Sequence, residues 1–130
     1  MINIINKIYG VNSVVENNNL LEIEFEKDNI LKIFTYLKEK SELNFNQLLD
    51  ITAVDYPSRE FRFDLIYILQ SLTKNKKIIL KTFVKENENI ESICNLHRAA
   101  DWYERECYDL FGIEFVNHPD LRRIMTDYNF

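Results

Sequence analysis

The chain has 130 residues, 46% of them apolar and 28% charged, and a net charge of −5. That size fits one domain able to bury a core without staples, and the composition is that of an ordinary globular protein. No basic patch with interleaved aromatics appears, which argues against a nucleic-acid partner, and no apolar run is long enough to span a membrane.

The charge deficit sits early: residues 1–60 carry ten acids against six bases, and residues 61–130 eleven against ten. The two cysteines, Cys94 and Cys107, are expected on one helix about 20 Å apart, too far for a disulfide. No C-x-x-C pair occurs, so an iron–sulfur cluster or structural zinc built by this chain alone is not expected. A reducing compartment fits. Isoleucine, asparagine and lysine are abundant (16, 15 and 10), a composition typical of an AT-rich coding genome, organellar or bacterial.

In chain order, "MINIINKIYG" lacks the basic region and apolar block of a signal peptide and the arginine of a transit peptide. "LLEIEFE" alternates, with Leu21, Ile23 and Phe25 on one face and glutamates on the other, which predicts a half-buried strand. Asp28 or Asn29 can then cap a helix, and Ile30, Ile33, Phe34 and Leu37 follow at helical spacing to about Lys40. "QLLDITAVDY" predicts a strand that ends in the turn "YPSRE", because Pro57 cannot continue a ladder. "FRFDLIYILQSL" sets Phe61, Phe63, Leu65, Tyr67 and Leu69 on one face. After the polar turn "TKNK", "KIILKTFVKE" alternates Ile78, Leu80, Thr82 and Val84 with Ile79, Lys81, Phe83 and Lys85. Short connections favour antiparallel neighbours. The expectation is an α+β domain over residues 1–130: a mainly antiparallel sheet of about four strands, with two or three helices on one face.

The last helix is expected to begin near Asn89 to Ser92 and to stop at Gly112, a residue suited to the left-handed C-terminal cap. Ile93, Leu96, Ala100, Tyr103, Cys107 and Leu110 form its core stripe. Arg98, Asp101, Arg105 and Asp109 lie opposite, as a solvated ladder of ion pairs. Glu104 falls beside the apolar stripe near His97 and needs a partner there; Arg122 and Arg123 are the candidates, since guanidinium matches carboxylate bidentately. In "NHPDLRRI", His118 or Asn117 can cap a short helix with Pro119 at its first position.

The density of acids, arginines and histidine after Asp101 invites a catalytic reading, a free-standing hydrolase or metal enzyme using Glu104, Glu106 and His118. The spacing argues against it. Arg105 stands between Asp101 and Asp109, His97 and His118 form no H-x-x-x-H or H-E-x-x-H pattern, and there is no phosphate loop or nucleophile elbow. Charge at this density without catalytic geometry suits a docking surface.

The segments "WYERECYDLFGIEF" and "NHPDLRRIM" resemble the signature of a respiratory complex I (NADH:quinone oxidoreductase) family, that of the small α/β subunit of the hydrophilic arm. "DITAVDYP" and "RFDLIYIL" upstream are similar to the same pattern, so the resemblance covers roughly residues 46–130. It implies an accessory subunit of the quinone module with no catalytic site and no cofactor of its own. Iron–sulfur clusters, FMN and quinone would belong to neighbouring subunits. The implied partners are the quinone-binding large subunit and adjacent iron–sulfur subunits, with no nucleic acid and no direct membrane span. The implied place is the matrix side of the mitochondrial inner membrane, or the cytoplasmic face of a bacterial one. Related subunits occur in membrane-bound hydrogenase-type complexes, the nearest alternative. Glu104, Arg105, Glu106, Asp109, Gly112, His118, Pro119, Arg122 and Arg123 fall on the family block as contacts or braces, Arg105 as a contact between subunits and Glu104 as an internal brace. Family members continue past the Tyr–x–Phe position with a further Gly-His-Pro run. The expectation is that this tail is supplied by a separate chain, is lost, or lies beyond a fragment.

Overall fold

The structure, a computed structural model, describes residues 1–119. Its elements are α1 (Ile2–Asn6), β1 (Val11–Asn17), β2 (Leu20–Phe25), a 3-10 turn (Lys27–Asn29), α2 (Ile30–Glu39), β3 (Gln47–Asp55), β4 (Phe63–Ser71), β5 (Lys76–Val84), β6 (Asn89–Glu91), α3 (Ala100–Phe111) and β7 (Glu114–Val116). Five strands form one sheet in the order β1-β2-β5-β4-β3, and β6 and β7 form a second, two-stranded sheet.

Alternation decides which face is buried. Leu21, Ile23 and Phe25 of β2, Leu65, Tyr67 and Leu69 of β4, and Ile78, Leu80 and Val84 of β5 all point into one core. Onto that face α2 sets Ile30, Ile33, Phe34 and Leu37. The Phe34 ring meets Phe25 and Tyr67 edge-on, at centroid distances of 5.9 and 5.0 Å, an arrangement that adds roughly 0.5–1.5 kcal/mol per pair beyond burial. Asparagines make several of the turns: Asn18 and Asn75 hold φ of 53° and 52° in the β1–β2 and β4–β5 connections, a left-handed region that asparagine tolerates better than most residues.

The α+β class and the mostly antiparallel sheet are as the sequence implies, with departures in topology. The large sheet has five strands because Val11–Asn17 adds an edge strand, whose weak alternation hid it. Strand β2 pairs with β5 in parallel, because α2 carries the chain across to the far edge and the β3-β4-β5 meander returns beside β2. Where that parallel ladder ends at Glu24↔Lys81, the buried Thr82 hydroxyl donates to the Phe25 carbonyl at 2.9 Å. Asn29 stands at the N-cap of α2 but makes no side-chain cap hydrogen bond; its side chain instead crowds Gly10.

The largest correction concerns the last helix, which begins at Ala100 rather than near residue 90. Residues 89–91 pair in parallel with residues 114–116, and the next residues make single turns, with Leu96 N and His97 N both donating to the Ile93 carbonyl. An apolar residue every third or fourth position is equally compatible with such isolated turns. Cys94 is therefore not on the helix with Cys107, and both thiols are free. At the C-terminus the expectation holds: Gly112 sits at φ 74° as the left-handed cap and its N–H donates to Tyr108 O.

Candidate functional site

Helix α3 lies against β3, and Cys107 Sγ reaches the Ile51 carbonyl at 3.6 Å. Placing Cys107 inward also turns Glu104 inward, one turn earlier on the same face. The Glu104 carboxylate is fully buried. The turn entering α3 closes over it: Ser92 Oγ donates to Oε1 at 2.6 Å, Ile93 N–H to Oε2 at 2.9 Å, and Cys94 Sγ to Oε1 at 3.3 Å. Ser92 is itself tied in, its N–H donating to Val116 O and its hydroxyl accepting from Cys94 N–H. One carboxylate thus joins α3, the 92–94 turn and the small β6–β7 sheet.

His118 enters the same pocket from the chain after β7. Its Nε2 lies 3.1 Å from the Asp101 carbonyl oxygen, 3.3 Å from Asp101 Oδ1 and 3.8 Å from Glu104 Oε1. The imidazole near Glu104 is therefore that of His118. His97, expected there, packs edge-on against Phe34 at 6.5 Å, because the helix starts after it and the heptad relation does not apply.

Burial sets the proton affinities. It raises the Glu104 pKa above the ordinary carboxylate value, against the lowering effect of its Ser92, Ile93 and Cys94 donors and of His118. Burial pushes the Cys94 and Cys107 thiols up to about 12, and Tyr67 also rises through burial and the nearby Glu104 and Cys107. His97 falls to about 4, through burial and the neighbouring Lys38 charge. The Tyr67 hydroxyl and His97 Nε2 are buried without a hydrogen-bond partner among the described residues.

Cys94, Glu104 and His118 bring a sulfur, an oxygen and a nitrogen within 4.8 Å of one another, the donor types a zinc ion takes. Both carboxylate oxygens accept hydrogen bonds, from Ser92, Ile93 and Cys94, so in this structure the group is tied together as a hydrogen-bonded cluster.

The remaining motif residues separate by face. Glu106, two positions from Glu104, is rotated by roughly 200° to the outer side of the helix, so Glu104, Glu106 and His118 do not converge on one reacting centre. Arg105 pairs with Asp101 at 3.7 Å and stands over the Trp102 ring at 5.8 Å; its side chain is 17% exposed. Asp109, expected on the solvated side, is buried, while Leu110, expected in the core, is 60% exposed. Both follow from how the helix is seated, with its open stripe running through Trp102, Glu106 and Leu110. Pro119 is exposed. Arg122, Arg123 and the short helix expected after His118 lie outside the described residues. Periodicity missed Ser92 and Cys94 because their link to Glu104 runs through a turn whose path it does not predict.

Residues 23–130 match the family described as respiratory-chain NADH dehydrogenase, 30 Kd subunit. The chain belongs to this family. An NADH-quinone oxidoreductase subunit of Ruegeria sp. (strain TM1040) is similar, 46% identical over 110 residues, spanning 85% of this chain and 55% of its own. So is a probable mitochondrial NADH-ubiquinone oxidoreductase 30.4 kDa subunit of Candida maltosa, 52% identical over 101 residues, 78% of this chain and 37% of its own. The chain thus spans about half, or less, of the length of these relatives. Among solved structures, a trypsin-resistant fragment (1–134) of Nqo5 superposes with a TM-score of 0.73 at 29% identity, covering 84% of this chain and 89% of that one. A chain of an archaeal membrane-bound sulfane sulfur reductase superposes with a TM-score of 0.81 at 26% identity, covering 97% and 72%. Relatives in the 30 Kd family thus occur in bacteria and in mitochondria, and no helix among the described residues is long and apolar enough to cross a membrane.

Proposed function

We propose that the chain is the 30 Kd-type member of the peripheral arm of an NADH:quinone oxidoreductase, a scaffold that supports NADH oxidation coupled to quinone reduction and proton translocation. The observation that carries this reading is the use made of the charged segment. Its buried acid, Glu104, has both oxygens engaged by the 92–94 turn, and Glu106 faces away from it. Charge spent on holding the domain together, with apolar side chains open on the outer helix face, is the pattern of a part that attaches. In this reading the chain holds no iron–sulfur cluster, FMN or quinone of its own. Its neighbours are the quinone-binding large subunit and the iron–sulfur subunits beside it, on the matrix side of the mitochondrial inner membrane or, for a bacterial protein, the cytoplasmic face. The test is isolation of the chain from its native membranes: it is expected to co-purify with flavin- and iron–sulfur-containing subunits, and alone to bind neither cofactor and turn over neither NADH nor quinone. Turnover or stoichiometric cofactor in the pure chain would sink the proposal.

The second reading, the equivalent subunit of a hydrogenase-type or related membrane complex, is favoured by the superposition with the sulfane sulfur reductase chain over nearly the whole length. Mass spectrometry of the intact complex separates the two: a flavin-bearing NADH-oxidising module belongs only to the first.

A further inference from the structure

Trp102 and Leu110 are 51% and 60% exposed, each four residues from Glu106. Four-residue steps keep side chains on one helix face, so the three form a stripe about 12 Å long with the acid in the middle. Glu106 has no ion-pair partner among the described residues. Its neighbour Arg105 is turned to Asp101 and the Trp102 ring. The stripe is also held rigidly from behind, by Glu104 on the 92–94 turn and Cys107 on β3, so presenting it costs little ordering.

We propose that this stripe seats a neighbouring subunit of the complex, which lays an apolar surface over Trp102 and Leu110 and sets an arginine or lysine against Glu106. The inference rests on the reading of the chain as part of a complex, and adds where it is held and by what chemistry. Charge selects the occupant. A second copy of this chain, docked by a two-fold axis through the stripe, would bring two Glu106 carboxylates together at its centre, where like charges oppose association. An anionic lipid surface is opposed both by that acid and by the chain's net charge of −5. A cation-bearing protein surface satisfies the acid, and an aromatic anchor such as Trp102 is the kind of side chain that dominates such contacts.

The experiment expresses Trp102→Ala, Leu110→Ala and Glu106→Arg in the native host, together with a full-length chain carrying a photo-crosslinking benzoylphenylalanine in place of Trp102. All three natural side chains are open to solvent or half so, and thermal unfolding of each isolated variant should match the parent. Retention in the purified complex should then weaken roughly thirty-fold or more for Trp102→Ala, with Glu106→Arg at least as severe. The photo-adduct should join position 102 to another subunit of the purified complex. Undiminished retention of all three variants, or an adduct only to a second copy or to lipid, overturns the proposal. If the parent chain itself is not retained, the subunit reading fails and this surface with it; if only the variants are retained like the parent, the subunit reading stands and this surface alone fails.

Discussion

Glu104 concentrates in one side chain what holds the α3 end of the molecule together. Removing its carboxylate leaves the Ser92 hydroxyl and the Ile93 N–H buried without acceptors, each costing about 1–3 kcal/mol, with a small cavity in addition. Glu104→Ala is therefore expected to lower unfolding free energy by about 3–5 kcal/mol in urea titrations; a loss below about 1 kcal/mol would show that the turn does not depend on it. His97 adds one component to the pH dependence in the acid range, opposite in sign to that of Glu104, whose raised pKa favours the folded chain as pH falls. Its pKa falls from 6.5 to about 4 in the folded chain, so between those values the unfolded chain takes up a proton that the folded chain refuses. The His97 contribution to stability is then fully present above pH 6.5 and declines as pH falls toward 4, by about 3 kcal/mol at the limit. His97→Phe keeps the contact with Phe34 and removes the proton site, so its stability should fall less between pH 7 and pH 4.5 than that of the parent. Equal slopes would mean that the imidazole is solvated in the native state.

Among the elements, the strands were legible wherever alternation was strict, as in β2, β4 and β5, where one face is core and the other mostly half-buried or exposed. What the sequence left unread depends on partners far along the chain. Strand β6 has only three residues and exists because β7 pairs with it 25 positions later; no local pattern in "NIE" announces that. The start of α3 was misplaced for the same reason, since Ile93 and Leu96 satisfy helical spacing while sitting in turns. The brace at Glu104 was legible as an acid at an apolar edge, but its donors come from that misread turn. The two glycines differ in a way that only the folded chain reveals. Gly112 holds φ 74° with nothing within 4 Å of a would-be Cβ, whereas at Gly10, φ 93°, that atom would lie 2.8 Å from Asn29 Cβ. Gly112→Ala should cost only the left-handed backbone, roughly 1–2 kcal/mol. Gly10→Ala must also displace the start of α2 and should cost at least about 1 kcal/mol more. Denaturation of the two variants side by side checks the order; a reversed order would mean that Asn29 yields freely.

The buried side chains form one continuous cluster from Ile5 in α1 through the sheet to Phe115 in β7. A single cluster that includes both ends of the described chain implies one cooperative unit. Among the described residues, most lysines and arginines lie in or beside paired strands or helices, where cleavage requires unfolding. The exposed connection between β3 and β4 is the clearest exception, although there Arg59 stacks on the Tyr56 ring at 4.0 Å and pairs with Asp64. Limited trypsinolysis of the isolated chain should therefore leave β1 through β7 protected, with any early cut among the described residues falling near Arg59. Rapid conversion to small peptides would instead mean that the domain folds only against its neighbours, and that the exposed stripe on α3 is part of its core rather than its seat.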